Sequence, residues 1–566
     1  MGLRSDRWFR RDDEVGLDHR AAMRAAGHPV ALTNDKPIIG ILNSVSDLNP
    51  CNLPLRHLAD AVKVGVETAG GIPVEMATIS LGEDLMKPSA MLYRNLMAIE
   101  VEEAIRANPL DGVVLLGNCD KTIPAQLMGA ASANIPALQL SGGYRRPGRF
   151  RGQEIGAGSD LWRFWDERRV GRLDDAEWVS LEAALGCSWG ACNVMGTAMT
   201  MAMMAEVLGL MLSGASTLAH DDVRLGVKAA ATGSRIVEMV RMGITPDRIL
   251  TRESFRRALL ALAALGGSTN AIIHLCAIAG RRMVPLRLED FDEAAQEIPV
   301  LADVAPIGTH TIAAFDAAGG VQAVIAMLDR DTTQGSAPSG FSPAPEISQV
   351  IRSRTNPVTR VPAFAVVRGN LAPDGAIIKT AAASEHLMTH SGPAVVFRGY
   401  DDMLRRIDDP GLTVTPESVL ILTGCGPRGG DGFPEWGMIP IPKKLAEQGI
   451  TDMVRISDAR MSGTSFGTCV LHVAPEAAIG GPLAGVEDGD MITLDVSRRL
   501  LGVDVAPHLL AQRIARRPRE PQRHLRGWPA LYLEHVMQAP SGADFDFLVP
   551  SSAERLEFVE PRVGRS

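Results

Sequence analysis

The sequence predicts an α/β protein in two parts, and three observations carry that prediction. At 566 residues the chain exceeds what a single hydrophobic core usually holds. Its first third alternates short apolar runs with segments of helical period, the pattern of a largely parallel sheet covered by helices. Beyond about Pro373 the texture changes to short strands punctuated by glycine and proline, which suits a β-barrel or a sandwich.

The elements follow in order. KPIIGIL (Lys36 to Leu42) is an apolar run behind a proline, consistent with a buried strand. Leu55, Leu58, Ala59, Val62 and Val66 then recur at helical spacing, and Gly70 and Gly71 stop that helix. IPVEMATI (Ile72 to Ile79) is the next strand. A helix beginning near Pro88 turns Leu92, Leu96, Ile99 and Ala104 to a core. DGVVLLG (Asp111 to Gly117) and IPALQL (Ile135 to Leu140) complete four strands. In such sheets ligands sit beyond the carboxyl ends of the strands, where Cys51 and Cys119 fall.

From Ser180 to about Gly280 the pattern is mostly helical. The run Val194 to Leu212 is apolar but interrupted by Glu206, so a buried helix is expected rather than a membrane span. Thr332 to Pro345, rich in Ser, Pro and Gly, reads as a connector. The later strands are AVVFRG, SVLILTG, DMVRIS, TCVLHV and MITLDV. Arg513 to Arg526 holds six arginines interleaved with Pro518, Glu520 and Pro521, a solvated surface segment more than an anion site.

Composition excludes several classes. With 46% apolar and 22% charged residues the chain is neither disordered nor fibrous. Its 57 basic side chains against 66 acidic ones give a net charge of -9, which argues against a general nucleic-acid or anionic-membrane partner. Seven cysteines, an odd count in a long chain, favour reduced thiols, and the charged N-terminus lacks a signal-type apolar stretch. A cytoplasmic location is expected.

Three cysteines stand in polar settings: Cys51 in NPCN, Cys119 in GNCDKT and Cys192 in GACN. Two alternatives stay open for them, a three-thiolate metal site and buried inert thiols. No CxxC pair exists, so a zinc ribbon is not expected. In CDK a thiol, a carboxylate and an amine follow a strand end; Glu83 (SLGED) and Glu435 (FPEWG) hold similar strand-to-loop positions. Such oxygen ligands suit a hard divalent cation, and a strand-end turn with a surface ion pair is the plain alternative. Lys121 would repel the cation unless its amine became an anionic carbamate.

Taken together, NPCN, SLGE, GNCDKT, GACNVMGTA, GGSTNAIIHL, GNLAPDGAIIK, FPEWGMIPIPKKL and DARMSGTSFGTCVLHVAPEA resemble the dihydroxy-acid dehydratase/phosphogluconate dehydratase family. More narrowly they resemble its sugar-acid (aldonate) dehydratase branch, and the likeness runs over essentially the whole chain. The resemblance implies an N-terminal α/β domain over 1–373 and a C-terminal β-barrel domain over 374–566, assembled as a homodimer or homotetramer. It implies a [2Fe-2S] cluster on Cys51, Cys119 and Cys192, and magnesium (Mg2+) held by Glu83, Asp120, a carbamylated Lys121 and Glu435. Ser462 matches the catalytic base, and Thr464 a substrate contact. The implied reaction turns a small polyhydroxy acid into a 2-keto-3-deoxy acid and water.

Several positions depart from the family pattern. Ala313 and Ala314 replace an acidic pair, and Val194 and Met199 stand where Thr and Ser are usual. LSGGYRR, LAHDD, Cys425 and Asp431 also differ. Two rival functions follow: the dihydroxy-acid dehydratase of branched-chain biosynthesis, and a cluster-holding paralogue without turnover, motivated by Ala313 and Ala314. PEWGMIPIPKKL and DLWRFWDERR favour the sugar-acid branch. A phosphorylated substrate would need a basic site, for which Arg145, Arg146, Arg149 and Arg151 are the loop candidates; flanking the active-site entrance is the reading preferred for them.

Overall fold

The computed structural model describes residues 2–28, 35–332, 349–430, 432–517, 526–552, 556 and 559–565. The expected connector at 332–345, the middle of the arginine segment and Asp431 lie almost wholly outside the described residues.

The four expected strands form one parallel sheet in the order β2-β1-β3-β4. They are β1 (Ile38–Asn43), β2 (Ile72–Ala77), β3 (Gly112–Leu116) and β4 (Ala137–Leu140). Strands β1, β3 and β4 are buried along their length, as parallel strands with helices on both faces must be. Ile39, Ile41, Val114 and Leu116 face a cluster with Leu55, Val62 and Ile236. Ile38, Leu42, Val113 and Leu115 turn the other way, towards Met97, Val101 and Ile123. This period-two split of near-continuous apolar runs allows each strand to serve two layers.

The helix expected near Pro88 starts later. A 3-10 turn over Ala90–Tyr93 comes first, with the Ser89 hydroxyl accepting the Met91 N–H, and the α-helix spans Arg94–Ala107. Pro88 therefore lies outside the helix. A hairpin, β5 (Gly148–Phe150) with β6 (Gln153–Ile155), precedes helices Ser159–Arg169 and Asp175–Leu185. These four pieces share a small core of Phe150, Ile155, Phe164, Leu173 and Leu181. The run beginning at Val194 forms helix Thr197–Leu208, buried at every residue. Among the described residues no helix is long and apolar enough to cross a membrane.

The second sheet has eight strands in the order β14-β13-β9-β10-β11-β12-β8-β7. They are β7 (Ala365–Val367), β8 (Gly375–Ile378), β9 (Thr389–Arg398), β10 (Val419–Thr423), β11 (Arg455–Ser457), β12 (Cys469–Ala474), β13 (Met491–Asp495) and β14 (Leu500–Val503). A bridge between Arg368 and Leu500 joins the two edges, so the sheet closes into a barrel and the sandwich alternative falls. Alternate residues such as Ile378, Val396, Ile421, Ile456 and Val470 fill its interior. The first barrel strand, β7, stands ahead of the expected division at 373/374, because the Arg368 bridge needs it as the closing edge. The chain then returns to the first domain: Tyr532, Val536 and Phe545 pack on Met91, Leu92 and Ile273. Arg281 and Asp544 form a fully buried ion pair at 2.6 Å there.

Candidate active site

The carboxyl ends of the parallel strands meet the barrel, and the chemistry-bearing side chains gather at that junction. Asp120 and Lys121 follow β3, with Lys121 the cap residue of helix Thr122–Ala133. The Lys121 side chain is fully buried. Its Nζ lies 2.8 Å from Glu435 Oε1 and 3.2 Å from Glu83 Oε2, and it also bonds Asp120. Asp84, next to Glu83, is exposed and turns to Arg145 at 3.8 Å. The four side chains assigned to magnesium by resemblance therefore face one another across two domains.

Electrostatics of this pocket follow from burial and pairing. Burial works against the Lys121 ammonium, yet Asp120, Glu435 and Glu83 overcome it, so its pKa sits above the ordinary lysine value. Burial favours a neutral Glu435, but Lys121 and Arg460 pull it down to about 2. Glu83, at the longer distance, is held above the usual carboxylate range by burial. Its Oε2 is buried and meets the Lys121 ammonium as an ion pair at 3.2 Å without an aligned hydrogen bond. Among the described residues no three His, Cys, Asp or Glu side chains form a ready metal cage; the Lys121 ammonium occupies the middle of the carboxylates. A carbamate there would change that residue from a cation to an anion. Four anions facing one another with Arg460 would then need a divalent cation to remain buried together. The donor set fits magnesium on those terms.

The three polar-context thiols also meet. The neighbouring Cys119 holds the Cys51 thiol below its ordinary value, and Cys51 and burial push Cys119 up; the Cys119 thiol donates to Asp120 Oδ1 at 3.4 Å. Cys192 is pushed up to about 12 by burial, against the pull of the Arg145 guanidinium. Arg145 reaches Cys51 Sγ at 3.9 Å. The competing Cys187 is exposed and turns its thiol to the Arg146 carbonyl at 3.6 Å. Cys276, Cys425 and Cys469 are buried elsewhere in apolar cores. As soft donors beside a cation, the three thiols suit an iron-sulfur cluster by their chemistry.

Ser462 and Thr464 lie on the loop between β11 and β12. Their hydroxyls are 2.9 Å apart, and the Thr464 N–H points to Ser462 Oγ at 3.4 Å. Gly463 is required by packing: a Cβ there would lie 2.7 Å from the Thr197 backbone nitrogen. The loop thus touches the first turn of helix Thr197–Leu208, whose positive end favours nearby negative charge.

Four residues of the site were not singled out from the sequence. Asn270 donates to Glu435 Oε1 at 2.7 Å and to the Met461 carbonyl at 3.1 Å, tying pocket to loop. Arg460 bonds Glu435 at 2.8 Å and the Phe433 carbonyl at 2.6 Å. The Ser159 hydroxyl donates to the Thr464 carbonyl at 2.8 Å, and the Trp162 indole N–H to Thr464 Oγ1 at 3.3 Å. Each stands inside a quoted motif, GGSTN, DARMSGTS or the segment running into DLWRFW, but its contacts are long-range. Ala313 and Ala314 are half-buried in helix Ile312–Ala317, whose first N–H bonds the carbonyl of Asn193, next to Cys192.

Comparison with known proteins shows the family. Residues 36–339 match the dihydroxy-acid/6-phosphogluconate dehydratase N-terminal family, and residues 349–543 its C-terminal counterpart. A 6-deoxy-6-sulfo-D-gluconate dehydratase of Pseudomonas putida is 44% identical over 562 residues, covering 97% of each chain. An L-arabonate dehydratase of Azospirillum brasilense is 46% identical over 566 residues, again 97% of each. A dihydroxy-acid dehydratase of Methanothermobacter thermautotrophicus is 36% identical over 545 residues, 93% of this chain and 97% of its own.

Proposed function

Because the chain belongs to the dihydroxy-acid/6-phosphogluconate dehydratase family and is a dehydratase, we propose that it converts an aldonate to the 2-keto-3-deoxy acid and water. The observation that carries this is Asn270, which bonds the charged pocket and the serine loop at once. A polyhydroxy acid bridging the two would meet cationic and anionic groups at its carboxylate end and a hydroxyl base at C2. The relatives named for sugar acids are 44% and 46% identical, against 36% for the dihydroxy-acid dehydratase, and this favours the sugar acid over a branched-chain precursor.

In this proposal Cys51, Cys119 and Cys192 hold the [2Fe-2S] cluster, and Glu83, Asp120, carbamylated Lys121 and Glu435 hold magnesium. Bound there, the two supply Lewis acidity for the leaving hydroxyl and counter-charge for the carboxylate and developing enolate. Ser462, as the alkoxide, takes the C2 proton. The C3–O bond breaks, the hydroxide leaves with that proton as water, and the enol tautomerises to the keto acid. A free serine hydroxyl is far too weak a base, so its anion needs donors; Thr464 offers a hydroxyl and an N–H to the same oxygen. Thr464 also takes the substrate contact that the family resemblance assigns to it. Packing of the loop on Gly158, Gly196 and Thr197 keeps bulk water from one side of the base.

An anaerobic panel of L-arabonate, D-xylonate, D-gluconate and 2,3-dihydroxy-3-methylbutanoate, scored for 2-keto product, tests this. Turnover of an aldonate in preference to the branched acid is expected. Preference for the branched acid, or cluster-loaded protein that turns over none of them, would overturn it.

A further inference from the structure

The Trp162 indole of DLWRFWDERR donates to the loop of the base, and the dehydration as described gives it nothing to do. We propose that Trp162 is a positioning residue for Ser462: its N–H holds the Thr464 hydroxyl turned to donate to the serine oxygen. The inference rests on Ser462 being the base.

The indole nitrogen can only donate, so in the 3.3 Å contact Thr464 Oγ1 is the acceptor. That hydroxyl has a single hydrogen, and its neighbour at 2.9 Å is Ser462 Oγ. While Ser462 keeps its proton, either hydroxyl can donate to the other. Once the serine is an alkoxide, only Thr464 can donate. Occupying a lone pair of Thr464 Oγ1 with an N–H strengthens its O–H as a donor, because successive hydrogen bonds polarise one another. The direction Trp162 to Thr464 to Ser462 is the one the charged base needs.

The surroundings hold this chain in place. Ser159, one turn earlier on the same helix, donates to the Thr464 carbonyl at 2.8 Å, so the helix grips Thr464 at main chain and side chain. Gly158, with φ +87°, lets the two approach: a Cβ there would lie 2.3 Å from Thr464 Oγ1. Phe164 anchors the helix from its opposite side in the small core shared with the hairpin. Trp162 and Thr464 are 302 residues apart in sequence, so the contact joins one domain's helix to the other's catalytic loop.

The test compares Trp162→Phe, which keeps a ring and loses the N–H, with Trp162→His, which retains a ring N–H. With the best aldonate of the panel, Trp162→Phe should lose about tenfold in kcat while KM moves within about twofold. Iron content and visible absorbance should stay at wild-type values, and Trp162→His should recover part of the loss. On a Thr464→Val background the Phe substitution should cost nothing further, since Trp162 acts only through that hydroxyl. Wild-type kcat in Trp162→Phe, equal losses in the Phe and His variants, or full additivity with Thr464→Val would overturn the proposal. Ser462→Ala separates the two layers. If it still exchanges the C2 proton with deuterated solvent at the wild-type rate, the base assignment itself fails; if it loses exchange while Trp162→Phe exchanges at the wild-type rate, only the role of Trp162 fails.

Discussion

Glu435 and Glu476 are two buried glutamates flanking the same barrel, and their proton affinities move in opposite directions. Burial pushes both up, but Lys121 and Arg460 bring Glu435 down to about 2. Glu476 accepts from the Arg428 and Gly429 N–H groups and from the Gln538 amide, with Asp458 as its charged neighbour, and it is pushed up to about 7. The neutral donors lower the Glu476 carboxyl, but burial and the repelling Asp458 outweigh them; at Glu435 two cations outweigh burial. The difference leaves Glu435 ionised beside two cations and Glu476 holding its proton up to about pH 7.

The thiols do not divide in this way. Of the three assigned to the cluster only Cys51 is lowered, by its neighbour Cys119; Cys119 is pushed up, and burial takes Cys192 to about 12, as it takes Cys276 to about 12 and Cys469 to about 11. Polar context and a charged neighbour, not proton affinity, set the cluster thiols apart.

Lys121→Arg attacks the comparison hardest. Arginine keeps the positive charge and can pair with Glu435, but it cannot become the carbamate. If pairing alone matters the variant will work; the account expects turnover to be abolished, and bicarbonate to activate the wild type alone. A product assay with added bicarbonate decides it. Cys119→Ser should come next, removing most of the iron and the visible absorbance, with Cys469→Ser as the control that keeps both. Full cluster retention in Cys119→Ser would contradict the thiolate assignment.

The smallest effect belongs to Glu476. Its folded pKa lies above the ordinary 4.5, so the folded protein keeps a proton that the unfolded chain releases between about pH 4.5 and 7. Stability from this group is therefore complete below about 4.5 and falls as pH rises towards 7, by on the order of 3 kcal/mol. Glu476→Gln should flatten that part of the denaturant-stability profile and leave kcat within about twofold. An unchanged slope would mean that Glu476 does not carry it.

How much of this was legible in sequence depended on how local each signal is. Strands β1, β3 and β4 announce themselves because parallel strands buried on both faces are near-continuous apolar runs, and β2, half exposed at the sheet edge, shows instead by alternation. Strands β7, β8 and β14 have three or four residues each and were not picked out, whereas the equally short β4 and β11 were, each in a longer segment, IPALQL and DMVRIS. The hairpin over 148–155 is likewise short and partly exposed. At the site, the charged and thiol residues stand in compact motifs at strand ends, and the structure brings them together. Asn270, Arg460, Ser159 and Trp162 act across 165, 25, 305 and 302 residues, and no spacing rule reaches that far.

The central claim is that a barrel-loop hydroxyl removes the C2 proton of an aldonate beside the charged pocket of the other domain. Ser462→Ala deletes one oxygen and should leave iron content and fold unchanged. Solvent deuterium exchange at C2 of the preferred aldonate, followed by NMR under anaerobic conditions, reads the base directly. The account predicts that exchange and turnover both fall, by about 10²–10⁴-fold or more. Exchange at the wild-type rate in that variant would contradict it and move the base to another group.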